Sequence, residues 1–304
     1  MRTYFDCVQC FVRQALDSAQ LLSDNDKIHE KVLRKILSET SEMDFYTSPP
    51  VMGQRIHHMI RELLGDIDPY CKIKDRSNRL AMKLYPELKL RIEEYSDSLD
   101  CAVRFAIAGN IIDFGVNSSL DDTVISETLE ISTKKPLLPN TINDLRKAVD
   151  RANNILYLGD NAGEIVFDRL LIEQLPHKNI TFAVRGGPVI NDATLKDAEF
   201  TGLTNIVKVI DNGSDAPGTI INDCSQYFRR QFINADLIIS KGQGNYESLS
   251  EENKNIVFLL MAKCPVIAQN IGSGIGSLVL KINLPEGANN IKSTMTYSKA
   301  RLCP

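Results

Sequence analysis

Five short apolar runs, each closed by a polar or glycine-bearing cluster, punctuate the second half of this 304-residue chain. Residues 155–158 run into Gly159-Asp160, 180–184 into Arg185-Gly186-Gly187, and 206–210 into Asp211-Asn212-Gly213. Residues 237–239 lead into Ser240-Lys241-Gly242, and 266–268 into Gln269-Asn270. Segments of helical length and pattern, such as 165–175 and 253–262, lie between most of them. Strands that are apolar on both faces and alternate with helices predict a mostly parallel sheet covered on both sides. The expected fold is α/β, with three α/β/α layers. Ligands of such sheets bind beyond the carboxyl ends of the strands. The polar clusters therefore mark the place to look for chemistry.

The first half has a different rhythm. Phe11, Ala15, Leu16, Ala19 and Leu22 recur at helical spacing, and Val32, Leu33, Ile36 and Leu37 repeat the pattern. Ser48-Pro49-Pro50 opens a predicted helix over 51–64, and Asp68-Pro69-Tyr70 breaks the chain again. Further helices are predicted over 74–84, 87–95 and 99–112. The division expected is an all-helical N-terminal domain over 1–135 and a Rossmann-like α/β/α domain over 136–304. The linker is expected at 132–140, where Lys134-Lys135-Pro136 and Pro139 fall.

Bulk properties narrow the partners. A net charge of -4 argues against non-specific nucleic-acid binding, which needs excess Lys and Arg. No apolar run approaches the roughly 18 residues of a membrane span, and the N-terminus lacks the apolar core of a signal peptide. Seven scattered cysteines, an odd number, fit reduced thiols in a cytoplasmic protein better than a disulfide framework. Cys7 and Cys10 form a C-x-x-C pair that is open to three readings: plain thiols, half of a metal site, or a redox pair. Oligomeric state is not legible from these properties.

Three strand ends carry the candidate chemistry. Asp160-Asn161 offers a carboxylate beside a carboxamide, hard oxygen donors suited to Mg²⁺ or Mn²⁺, although helix caps look the same in sequence. Asn191-Asp192 follows Gly186-Gly187-Pro188, so Asp192 is expected to complete a metal site with Asp160 and Asn161. Backbone amides around Asn191 are expected to favour an anion. Lys241, on the lip of a strand between small residues, is expected to reach a phosphate as a point charge, with Asn245 beside it. Arg185 is a second phosphate contact or the partner of a neighbouring carboxylate. Gly109 and Asn110 weaken an otherwise helical segment. They mark either helix packing or a pocket lined by Asn110 and Asp113. The Walker, Rossmann and nucleophile-elbow spacings are absent, and none of the four histidines pairs with an evident nucleophile.

The motifs Gly159-Asp160-Asn161-Ala162-Gly163-Glu164, 187–194 and Lys241-Gly242-Gln243-Gly244-Asn245-Tyr246-Glu247 together resemble the damage-control phosphatase family, ARMT-like proteins formerly grouped as a domain of unknown function. Cys7-Val8-Gln9-Cys10, the Asp68-Pro69-Tyr70 break and Ala108-Gly109-Asn110 with Asp113 resemble its small archaeal and bacterial branch. The resemblance implies a divalent metal (Mg, Mn, Co or Ni) at Asp160, Asn161 and Asp192, and phosphate contact by Lys241. It further implies hydrolysis of phosphomonoesters such as sugar phosphates or damaged phosphometabolites, with Asp160, Asp192 and Lys241 in catalytic roles. Gln243-Gly244 stands where eukaryotic relatives carry Asp-Leu, which sets fructose-phosphate-like specificity apart. Two alternatives use the same pocket without phosphatase chemistry: a phosphometabolite sensor, and a carboxyl methyltransferase, for which no methyl-donor site is evident.

Overall fold

A computed structural model describes residues 1–65, 68–109, 122–176 and 179–284. The helical half contains α1 (Cys7–Leu22), α2 (Asp26–Ser41), α3 (Pro49–Leu64), α4 (Cys71–Glu94), α5 (Ser98–Gly109) and α6 (Asp122–Lys134). The sheet half follows as β1 (Leu137–Pro139), α7 (Ile142–Arg151), β2 (Asn154–Leu158), α8 (Glu164–Gln174), β3 (Asn179–Val184), α9 (Leu195–Phe200) and β4 (Lys208–Asp211). It closes with α10 (Gln226–Asn234), β5 (Leu237–Lys241), α11 (Gln243–Leu249), β6 (Ile256–Met261), α12 (Pro265–Ile271) and β7 (Leu278–Asn283). No helix among the described residues is long and apolar enough to cross a membrane.

The seven strands form one sheet in the order β1-β7-β6-β5-β2-β3-β4, parallel except for the β6–β7 pair. From the β2–β5 contact, β3 and β4 follow outward on one side and β6 and β7 on the other, with β1 added at the edge, which makes that contact the topological switch point. Side-chain alternation explains why the strands read as continuous apolar runs. Ile155, Tyr157, Leu237 and Ile239 join the core under α4, α5 and α8. Leu156, Leu158, Ile238 and Phe258 point to the other core, with Phe228 of α10 and Tyr246 of α11. Both faces are thus covered, as the apolar runs require.

The change from helices to strands falls between Lys134 and Leu137, and packing crosses it. Ala81, Leu88, Phe105 and Leu129 share a core with β2, β5 and α8, whereas α1, α2 and α3 close around a separate cluster of Phe11, Ala15, Ile36, Ile56 and Ile60. The helical residues therefore supply one layer over the sheet and a smaller satellite against α11.

Four expectations are corrected. Residues 256–261, expected within a helix, form β6, because six consecutive apolar residues suit a central strand buried between β5 and β7. Residues 266–268, expected as a strand, lie in α12, which Pro265 opens at its first turn. The linker at 132–140 contains the end of α6 and edge strand β1. The break expected between 84 and 87 is absent: α4 runs through Pro86, with Leu84, Leu88 and Ile92 buried on either side.

Gly109 has a packing role. A Cβ there would stand 2.9 Å from the Phe167 ring, so the end of α5 lies against α8 with no room for a side chain. Gly109→Val is expected to destabilise the protein by about 1–3 kcal/mol, the usual cost of overpacking. Urea denaturation measures it, and an unchanged midpoint would contradict the close approach.

Candidate active site

The carboxyl ends of β2, β3 and β5 meet at the switch point, and the loop that follows each contributes to one buried cluster. After β2, Gly159 continues the sheet by donating its N–H to Ala183 O at 3.0 Å. The next residues pair with the loop after β3 as a short antiparallel bridge between Asn161 and Asp192. Ala162 N donates to Asn191 O and Ala193 N to Asp160 O, both at 2.8 Å. Two loops some thirty residues apart in sequence are thereby zipped together, which brings Asp160, Asn161 and Asp192 side by side.

The turn that delivers Asp192 is strained. Ile190 has φ 43, a left-handed conformation that β-branched residues rarely adopt. Such backbone costs on the order of 1–3 kcal/mol and persists only where its surroundings hold it. Here Asp192 N donates to Val189 O at 3.0 Å and closes the turn.

Arg185, 3% exposed, fills the space between the aspartates. Its Nε donates to Asp192 Oδ2 at 2.6 Å, and a terminal nitrogen approaches Asp160 Oδ1 at 3.5 Å. The other terminal nitrogen donates to Asn245 Oδ1 at 3.1 Å and reaches Thr219 Oγ1 at 3.4 Å. Of the two roles open in the sequence, the carboxylate partner is the one this geometry displays. Asn245 is fully buried and donates to Gly159 O and Lys241 O, so it joins the β2 and β5 ends from inside.

Lys241 departs from expectation. It is fully buried rather than placed on a lip, and its Nζ donates to Glu164 Oε1 at 2.7 Å, Asp168 Oδ1 at 2.6 Å and Ala106 O at 2.9 Å. An ammonium has three donors, and all three are engaged within the protein, which does not suit direct phosphate contact. Tyr157 also donates to Asp168 Oδ1, at 2.7 Å. Glu164 extends the network to the candidate metal residues, since its Oε2 accepts from Asn161 Nδ2 at 2.9 Å. Asn161 Nδ2 also donates to Asp160 Oδ2 at 3.0 Å.

Sequence reasoning passed over Glu164, Asp168 and Thr219 as functional residues. The two acids sit four residues apart on α8, a helix whose first nine residues are buried at all but one position, where carboxylates need a cation. Asn110 and Asp113 lie outside the described residues. Cys7 and Cys10 are free thiols whose pKa values burial raises.

Asp160, Asp192, Glu164 and Asp168 are buried in contact with two cations, Arg185 and Lys241, while Lys263 and Lys74 act on Asp160 and Asp192 from farther off. Burial, then repulsion from Asp192 and Glu164, pushes the Asp160 carboxyl well above the usual aspartate range. Burial also raises Asp192, against the opposing pull of Arg185. Carboxyl pKa values raised at hard oxygen donors fit a divalent cation. Among the described residues no three His, Cys, Asp or Glu side chains converge as a metal cage; the set on offer is two carboxylates and the Asn161 carboxamide. Gly242, at φ 79, lies against them, because a Cβ there would stand 1.9 Å from Asp160 Oδ2.

Lys241→Met is expected to destabilise the protein by about 3–5 kcal/mol, because it strands two buried carboxylates. Guanidinium denaturation checks this, and a loss below about 1 kcal/mol would contradict a buried ion cluster.

A family model described as the damage-control phosphatase ARMT1-like domain matches residues 3–279. A protein of Pyrococcus horikoshii named a damage-control phosphatase is 34% identical over 290 residues, covering 93% of this chain and 99% of its own. One of Archaeoglobus fulgidus with the same name is 34% identical, covering 91% and 97%. The crystal structure of a DUF89-family protein from Pyrococcus horikoshii superposes with a TM-score of 0.85 at 33% identity, over 93% of this chain and 99% of that one.

Proposed function

Because the chain belongs to the damage-control phosphatase ARMT1-like family, we propose that it hydrolyses phosphomonoesters of small metabolites, sugar phosphates or damaged phosphometabolites, with a divalent metal held by Asp160, Asn161 and Asp192. The observation that carries this reading is the Asn161–Asp192 bridge, which sets the three oxygen donors together at the switch point, with both carboxyl pKa values raised. The names of the relatives support the phosphatase class. Hard oxygen donors support Mg or Mn, while Co and Ni rest on the family resemblance alone.

When bound, the metal would act as a Lewis acid on a phosphate oxygen and as a template for it. The remaining work belongs to the chain. Arg185 fixes the orientation of Asp192 through a 2.6 Å contact and stands farther from Asp160, at 3.5 Å. Asp160 or Asp192 would orient the attacking water. Glu164 fixes the Asn161 carboxamide so that its oxygen is free to bind, and Lys241 keeps Glu164 in place. Lys241 is thus a positioning residue.

Metal-stripped protein is expected to hydrolyse p-nitrophenyl phosphate only after Mg²⁺, Mn²⁺, Co²⁺ or Ni²⁺ is restored. Asp160→Asn and Asp192→Ala are each expected to lose more than the roughly 10–100-fold that removal of an outer partner costs. Turnover in the stripped protein, or full turnover in both variants, would overturn the assignment.

A further inference from the structure

The two loops joined by the Asn161–Asp192 bridge have a second fastening, and the helical half supplies it. Asn78 of α4 is 2% exposed and uses both ends of its carboxamide. Its Oδ1 accepts from Gly163 N at 2.7 Å, and its Nδ2 donates to Asp197 Oδ1 at 2.8 Å. Asp197 is also buried, near the start of α9, and its Oδ2 accepts from Thr194 N at 2.8 Å and from Thr194 Oγ1 at 2.7 Å. Lys74, one turn earlier on α4, lies 3.4 Å from Asp197 Oδ2 and keeps a cation beside that buried carboxylate.

The two ends of this chain of bonds fall at matching places. Gly163 stands two residues after Asn161, and Thr194 stands two residues after Asp192. The bridge itself rests on two backbone bonds, Ala162 N to Asn191 O and Ala193 N to Asp160 O. Asn78 and Asp197 thus join the same loops one residue beyond each of those donors.

The pattern of donors and acceptors leaves little choice of side chain. Gly163 caps α8 at φ 77, and its N–H is one of those that a helix start leaves without a partner inside the helix. A Cβ there would stand 3.0 Å from Ser77 Cβ and Ser77 O, so α4 is pressed directly on this turn. The residue opposite must accept from that N–H and donate to the Asp197 carboxylate, and a short carboxamide does both. An apolar side chain would leave a buried donor and a buried acceptor unmet. Ala81, Leu84 and Leu88 hold the same helix in the core shared with α8, which makes α4 a rigid mount.

We propose that Asn78 is a positioning residue for the metal centre: through Asp197 it fixes the separation of the two loops, and with it the separation of Asn161 and Asp192 at which the ion is held. The inference rests on the reading of Asp160, Asn161 and Asp192 as a metal site. The action of Asn78 runs through the backbone at Gly163 and Thr194, which makes α4 a contributor to metal affinity.

The test measures Mn²⁺ binding, by the EPR signal of the free ion and without substrate, in the wild type, Asn78→Leu, the exchanged pair Asn78→Asp with Asp197→Asn, and Val32→Ala. Val32 is buried in the satellite cluster of α1, α2 and α3 and serves as a destabilised control. Thermal unfolding checks that each protein is folded. Asn78→Leu is expected to weaken Mn²⁺ binding roughly 10–100-fold, the range for loss of a group that orients a metal ligand. The exchanged pair keeps an acceptor for Gly163 N, a donor between the two side chains and an acceptor for Thr194. It is therefore expected to recover most of the affinity, and Val32→Ala to keep it. If Asn78→Leu does not fold, Asn78→Asp alone, which sets two carboxylates together, replaces it in each comparison. An affinity unchanged in Asn78→Leu, an equal loss in Val32→Ala, or an exchanged pair no better than Asn78→Leu would overturn the proposal. A wild type that binds no Mn²⁺ would overturn the metal reading instead. Hydrogen exchange at the Ala162 and Ala193 amides then decides the inference. Faster exchange in Asn78→Leu, recovered in the exchanged pair, supports the hold of Asn78 on the two loops, and unchanged exchange overturns it.

Discussion

An ammonium group is tolerated in a protein interior only when each of its donors is matched, and Lys241 is matched by Glu164, Asp168 and the Ala106 carbonyl. These three contacts draw together the end of β5, the first turns of α8 and the middle of α5. They join the sheet, the helix that follows β2 and a helix of the N-terminal half. Removal of the positive charge would leave two carboxylates facing each other beneath the β2 loop. The positions of Glu164, and through it of Asn161, follow from this one cation.

A second cation does similar work one layer outward. Arg185 spans Asp160 and Asp192 and is itself held by Asn245 and Thr219. The two networks share Asn161, which touches both Asp160 and Glu164. Orientation of the candidate metal donors is therefore set from behind, by side chains that are buried and bonded to one another. The raised carboxyl pKa values of Asp160 and Asp192 are the electrostatic ground on which a divalent ion is proposed there. The strain at Ile190 and the absence of a side chain at Gly242 belong to the same arrangement, since each lets a loop approach the aspartates closely.

Much of this was legible because polar clusters that end apolar strands have few structural uses. Asp160, Asn161 and Asp192 stood out for that reason, and the chain order of the strands placed them on one edge. Lys241 was visible as a residue but not as a buried one. The acids that enclose it lie more than seventy positions earlier, and only the α8 crossing brings them near. The exchange of helix and strand over 253–271 has a related cause. A run such as 256–261 carries no period, so its state depends on neighbours that sequence does not name. The role of Gly109 became clear only when Phe167 appeared opposite it. His57 was one of four histidines with no partner in the sequence, and its burial is a property of the folded chain.

The central claim is that Asp160, Asn161 and Asp192 together hold a divalent ion. Crystals of the protein saturated with Mn²⁺ and measured at the manganese absorption edge test it most directly. The account predicts an anomalous peak coordinated by oxygens of those three side chains, with Lys241 still enclosed by Glu164 and Asp168. A peak held by other residues, or none in manganese-saturated crystals, would contradict it.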